Sequence, residues 1–116
     1  MIATAIHRAA LAALCLAAPP ATAFSETSDA DQRREAILAL TPDAEYGAYL
    51  SSECTACHAE EGGDIPLIHG QDREALIDAL LGYKTGTRSH DVMETIAGRL
   101  GDEEIAALAA YFSEVN

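Results

Sequence analysis

The chain has 116 residues, enough for one domain, and sets 19 Asp and Glu against 7 Lys and Arg for a formal charge of −12. Such an acidic chain is repelled by nucleic acid and by anionic membrane surfaces, which excludes both as partners. It steers in a protein with a basic docking face, at rates that fall as salt rises.

The N-terminus reads as an export signal. Arg8 and the terminal amine form a positive region, Ala9 to Ala18 an apolar run, and Ala21-Thr22-Ala23 a small-x-small cleavage site. The run is too short for a permanent membrane anchor. Residues 1–23 are therefore expected to be a signal peptide and the chain periplasmic, with cleavage after residue 23 of 116 leaving Phe24 to Asn116. All 19 acidic residues stay and Arg8 leaves, which moves the formal charge to −13. Cys15 follows Leu14, where lipid modification wants a small residue, and is assigned to the discarded peptide. Cys54 and Cys57 are then the remaining thiols and Met93 the remaining thioether.

Residues 24–41 begin polar and acidic, as a flexible tail, with a short helical pattern from about Gln32 to Leu40 that could pack on the domain or on a partner. The domain proper is expected over residues 42–116. Thr41-Pro42-Asp43 is a helix start, with Thr41 as N-cap and Pro42 at the first helical position. This helix should run to about Glu53 and deliver Cys54, with Tyr46, Tyr49 and Leu50 as its apolar stripe and Gly47 allowing a second helix to cross closely.

Cys54-Thr-Ala-Cys57-His58 is the stretch on which the reading turns. Two thiols three residues apart, followed directly by histidine, form the attachment sequence for c-type haem. Each thiol adds across one vinyl group of the porphyrin, and the imidazole of His58 supplies an axial ligand to iron. A Cys-x-x-Cys pair also serves thioredoxin-like redox sites and zinc sites. The first needs a strand before the motif, which is absent from the pattern. The second needs further ligands, for which only His69, His90 and scattered carboxylates are at hand.

Ala59 to Asp64 is a glycine-rich charged loop, and Ile65-Pro66-Leu67-Ile68 an apolar segment that proline keeps out of a sheet. Asp72 caps a helix through about Tyr83 that carries Leu76, Leu80 and Tyr83 on one face. Gly86 to Asp91 is loop again, and Met93 follows in a polar setting. A methionine opposite histidine fills both axial positions and raises the potential, which suits electron transfer; His90 and His69 are its rivals. Asp102 is expected to cap a last helix to about Ser113, with Ile105, Leu108 and Phe112 as its ridge. No strand pattern occurs, so the fold is expected to be all-α. A domain this small has little apolar core of its own, and haem would complete it.

From Tyr46 to Phe112 this order of helix, Cys-x-x-Cys-His, proline loop, helix, methionine and terminal helix resembles the class I c-type cytochromes. Ile65-Pro66 with Gly70-Gln71, Tyr83 to Met93, and Leu100 to Phe112 look most like cytochromes c553 and c4 and the cytochrome subunit of flavocytochrome c sulfide dehydrogenases. The resemblance implies one covalent haem held by Cys54 and Cys57, iron ligated by His58 and Met93, and the carbonyl of Pro66 accepting from the His58 Nδ1–H. It also implies crossing N- and C-terminal helices and single-electron transfer without substrate chemistry. The implied partner is a flavin-dependent dehydrogenase of sulfide or another sulfur compound, which this chain serves as haem subunit or acceptor. The reading from another class is a peroxidase-like haem enzyme or a haem sensor with a displaceable sixth ligand.

Overall fold

A computed structural model describes residues 28–116; the expected signal peptide, residues 1–23, and the start of the acidic tail lie outside them. Six helices follow one another: α1 Asp29–Ala39, α2 Ala44–Leu50, α3 Ser52–His58, α4 Arg73–Thr85, α5 Asp91–Arg99 and α6 Asp102–Glu114. Among the described residues there is no strand, in agreement with the all-α expectation.

α6 is the centre of the packing. Its residues Ile105 to Ala110 and Phe112 are all buried, and four of them are alanines, whose small side chains let neighbouring helices approach. The most extensive packing in the described chain is α2 against α6, and Gly47 is the reason it is possible. A Cβ built at Gly47 would run into the carbonyl oxygen of Ala107 and stand 2.8 Å from the Tyr111 Cβ, so only a hydrogen fits at the crossing. Tyr46, the preceding residue, donates its hydroxyl to Glu104 Oε1 at 3.3 Å across the same pair of helices.

α4 lies against α6 through Leu76, Ile77 and Leu81, which join Ile105, Leu108 and Phe112 in one apolar cluster. Asp72 caps α4 by accepting from the Ala75 N–H at 2.9 Å, as its sequence position implies. Gly86 ends the helix in the left-handed region at φ 80°.

The N-terminal helix begins earlier than the pattern from about Gln32 suggests. It is helical from Asp29 and packs on the domain, one of the two placements left open by the sequence. Ile37 is fully buried in the same cluster as Ile77 and Ile105. Arg34 donates to Asp78 Oδ1 at 2.5 Å and to Glu74 Oε2 at 3.0 Å on α4. Arg33 donates to Asp102 Oδ1 at 2.6 Å on α6. Ile37 is the one fully buried side chain of this helix, Leu38 packs beside it, and two arginines meeting three carboxylates on two other helices add to the anchoring.

Other boundaries shift for local reasons. Asp43, not Thr41, is the N-cap of α2, its carboxylate accepting from the Tyr46 N–H at 2.9 Å. The single helix expected to about Glu53 is divided at Ser51, whose hydroxyl donates to the Ala48 carbonyl at 2.7 Å in competition with the backbone. Gly101, not Asp102, precedes α6, and its N–H donates to Glu104 Oε2 at 2.7 Å; the Asp102 carboxylate is engaged with Arg33. α5 arises where a loop and an isolated methionine were expected.

Replacing Gly47 with Ala tests the crossing. The new methyl meets a backbone carbonyl that cannot turn away, so the variant should lose ~3 kcal/mol or more. Thermal unfolding of the intact protein should show a midpoint lowered by roughly 10 °C or more; an unchanged midpoint would mean that α2 and α6 are not this close.

Candidate functional site

The motif is itself helical. Cys54, Cys57 and His58 stand on α3 at i, i+3 and i+4, the spacing that places side chains on one face of a single turn. α3 buries none of its seven residues. Cys57 is exposed and Cys54 half-buried, and both are free thiols. Burial, with a smaller contribution from the nearby Glu53 charge, pushes the Cys54 thiol above its ordinary value.

His58 is oriented from the proline loop. Its Nδ1 lies 2.6 Å from the carbonyl oxygen of Pro66. A carbonyl only accepts, so Nδ1 carries the proton and Nε2 keeps its lone pair. The loop that provides this carbonyl is braced twice. Gln71 Nε2 donates to the Leu67 carbonyl at 2.6 Å, and the Gly70 N–H donates to the Phe112 carbonyl of α6 at 2.8 Å. Gly70 has φ 70°, which turns the chain into α4.

Of the two rival histidines, His69 stacks on Phe112, with ring centroids 5.5 Å apart and planes 18° from parallel. Its Nε2 is buried without a hydrogen-bond partner. His90 is the N-cap of α5, with Nδ1 turned back toward the Met93 N–H at a long 3.5 Å. Met93 is partly buried in the first turn of α5. The structure thus joins His58 to Pro66 directly and sets Met93 on a separate helix that packs on α4.

These residues fit a large planar apolar group held through two sulfurs. One turn of α3 presents two thiols and an imidazole with a bare nitrogen, and among the described residues Cys54 leans on the apolar cluster while Cys57 stays exposed. Apolar side chains also stay in the open nearby in sequence, Tyr49 at 78%, Ile65 at 44% and Val92 at 58% exposure. The alternatives fit less well. Among the described residues no set of three or more His, Cys, Asp or Glu side chains gathers to hold a metal ion, and no strand precedes the motif as a thioredoxin-like site requires.

Sequence reasoning missed the supports of this site: α5, the Glu94 carboxylate that receives Ser89 and His90, and the Lys84 ammonium that donates to Gly98 at the end of α5. A signal for α5 was present. Asp91 and Glu94 sit in its first turn and Arg99 in its last, the charge order that complements a helix dipole.

No protein-family model matches the chain. Individual proteins do. The cytochrome subunit of sulfide dehydrogenase from Chlorobaculum tepidum is 34% identical over 105 residues, spanning 87% of this chain and 96% of that protein. The thiosulfate dehydrogenase electron acceptor of Stutzerimonas stutzeri is 36% identical over 70 residues, 54% of this chain but 32% of that longer protein. Cytochrome c6 of a Picosynechococcus species is 32% identical over 89 residues, 66% of this chain and 76% of that protein. Two of these are cytochromes or cytochrome subunits by name and the third is an electron acceptor. With a match that runs almost the full length of one of them and a single Cys-x-x-Cys-His turn on α3, the chain belongs to the class I c-type cytochromes and carries electrons on one covalently attached haem c.

Proposed function

We propose that Cys54 and Cys57 would hold the haem through their sulfurs, that His58 Nε2 and the Met93 thioether would ligate its iron, and that Pro66 fixes the imidazole. The observation that carries this assignment is the 2.6 Å contact from His58 Nδ1 to the Pro66 carbonyl, which leaves Nε2 as the free nitrogen on the thiol-bearing face of α3. Each cysteine gives its thiol hydrogen and its sulfur to the two carbons of one vinyl group, forming a carbon–sulfur bond with no leaving group. Haem so held supplies one-electron cycling of its iron. His69 is engaged with Phe112 and His90 with its own helix, which favours Met93 on the opposite side.

The chain is proposed to act in the periplasm, after removal of residues 1–23, with the unit from residue 42 onward as its haem-binding part. Among the described residues no helix is long and apolar enough to cross a membrane. Its partner is proposed to be a flavin-dependent dehydrogenase of sulfide or another sulfur compound, served as a bound haem subunit or as a free acceptor. The relatives that point there are a cytochrome subunit of sulfide dehydrogenase and an electron acceptor of thiosulfate dehydrogenase. Between Arg34 and Arg73 the chain has no Lys or Arg but carries Glu45, Glu53, Glu60, Glu61 and Asp64 on exposed positions around the motif. That charge is suited to a basic docking face.

Met93→Ala in the haem-loaded protein should open the sixth position, lower the reduction potential and let carbon monoxide bind the reduced form readily. An unchanged potential and no carbon monoxide binding would move the ligand to His90 or His69. In stopped flow, reduction by a sulfide-oxidising flavoprotein should slow steadily between ~10 mM and ~200 mM salt, as the screening length falls from roughly 30 Å to below 10 Å. A salt-independent rate would count against acidic docking, and no reduction at all against this class of partner.

A further inference from the structure

α5 packs on α4, but little of it is sealed from solvent. Of its nine residues only Ala97 is buried. Met93 lies in the first turn, where backbone N–H groups lack helical partners and fraying begins. A methionine side chain, with three rotatable bonds, does not position its own sulfur. The direct cap is weak: His90 Nδ1 to the Met93 N–H is 3.5 Å.

Glu94 supplies what the cap does not. Its Oε1 accepts from the His90 N–H at 2.9 Å and from the Ser89 hydroxyl at 3.0 Å, two bonds to a charged acceptor from the residues just before the helix. The far side of the same loop is tied to α4. The Arg88 N–H donates to the Gly82 carbonyl at 3.0 Å, and the Arg88 guanidinium lies 5.0 Å from the centre of the Tyr83 ring. At the other end of α5, Lys84 Nζ donates to the Gly98 carbonyl at 2.9 Å. The segment from Gly86 to Gly98 is therefore held to α4 at its two ends by polar contacts, and within it Glu94 ties the loop to the first turn of the helix.

We infer that Glu94 is a positioning residue for Met93: by drawing Ser89 and His90 onto the first turn of α5, it holds the Met93 backbone in place for the thioether to stay on iron. The inference rests on the assignment of Met93 as an axial ligand. It makes no demand on the charge of Glu94 beyond its ability to accept two hydrogen bonds, so glutamine should serve.

The test uses haem-loaded protein and the rate at which imidazole displaces the sixth ligand of the oxidised form, with the reduction potential and thermal midpoint measured alongside. Glu94→Ala should bind imidazole about tenfold faster, the size expected from two lost hydrogen bonds, and should have a lower potential. Glu94→Gln should stay near the parent, and Ser89→Ala should lie between. Should Glu94→Ala fail to fold, Ser89→Ala and Glu94→Gln carry the comparison. If these variants bind imidazole at the parent rate with unchanged potential, whatever their thermal midpoint, Glu94 is only structural and the inference is overturned. Met93→Ala separates the two readings. If it binds imidazole fast while Glu94→Ala does not, positioning alone fails; if it leaves imidazole binding unchanged, the ligand assignment fails and the inference with it.

Discussion

The contact between His58 Nδ1 and the Pro66 carbonyl is the interaction on which the site depends. It sets the tautomer of the imidazole, its rotation about the side chain, and the spacing between α3 and the proline loop, all through one bond of 2.6 Å. α3 has no buried residue of its own to fix it, so the orientation of the proposed ligand is inherited from the loop. The loop inherits its position from α6 through Gly70 and Phe112, and α6 is placed by the Gly47 crossing with α2. A chain of contacts thus runs from a glycine in the packed core to a nitrogen on the surface of α3.

The molecule has two halves held by different forces. α1, α2, α4 and α6 surround an apolar cluster in which Ile37, Ile77 and Ile105 are fully buried, and here burial of apolar surface does most of the work. α3 and α5 bury a single residue between them, Ala97; α3 is tied down by the bond from His58 to Pro66, and α5 by packing on α4 and by polar contacts at its ends. These two helices carry the proposed haem-binding groups. Exposed Val92 on α5, with Ile65 in the proline loop and Tyr49 on α2 shortly before the motif, leaves apolar surface uncovered, consistent with a cofactor that acts as core. Removing the haem should therefore cost this half far more than the other.

Much of this was legible in the residues. The spacing of Cys54, Cys57 and His58 is chemistry written locally, and it survives any error in helix boundaries. Gly47 announced a close crossing because few other reasons put glycine in a helix. The α4 cap at Asp72 follows from a side chain reaching its own backbone. What was not legible depends on distant partners. The helix that carries Arg33 and Arg34 has no evident docking site in the sequence until Asp102, Glu74 and Asp78 are seen across from them. Ser51 divides one helix into two by a hydroxyl that looks unremarkable in sequence. α5 was hidden because it is short and follows a polar loop, and because Glu94, Lys84 and the loop before it hold it by contacts that a periodic pattern does not record.

The most direct test of the central claim is intact mass spectrometry of the protein isolated from the periplasm, combined with thiol alkylation under denaturing conditions. A chain starting near Phe24, carrying the mass of one haem and taking up no alkylating agent at Cys54 or Cys57, is the expected result. A chain without the added haem mass, with both cysteines alkylated, would contradict it.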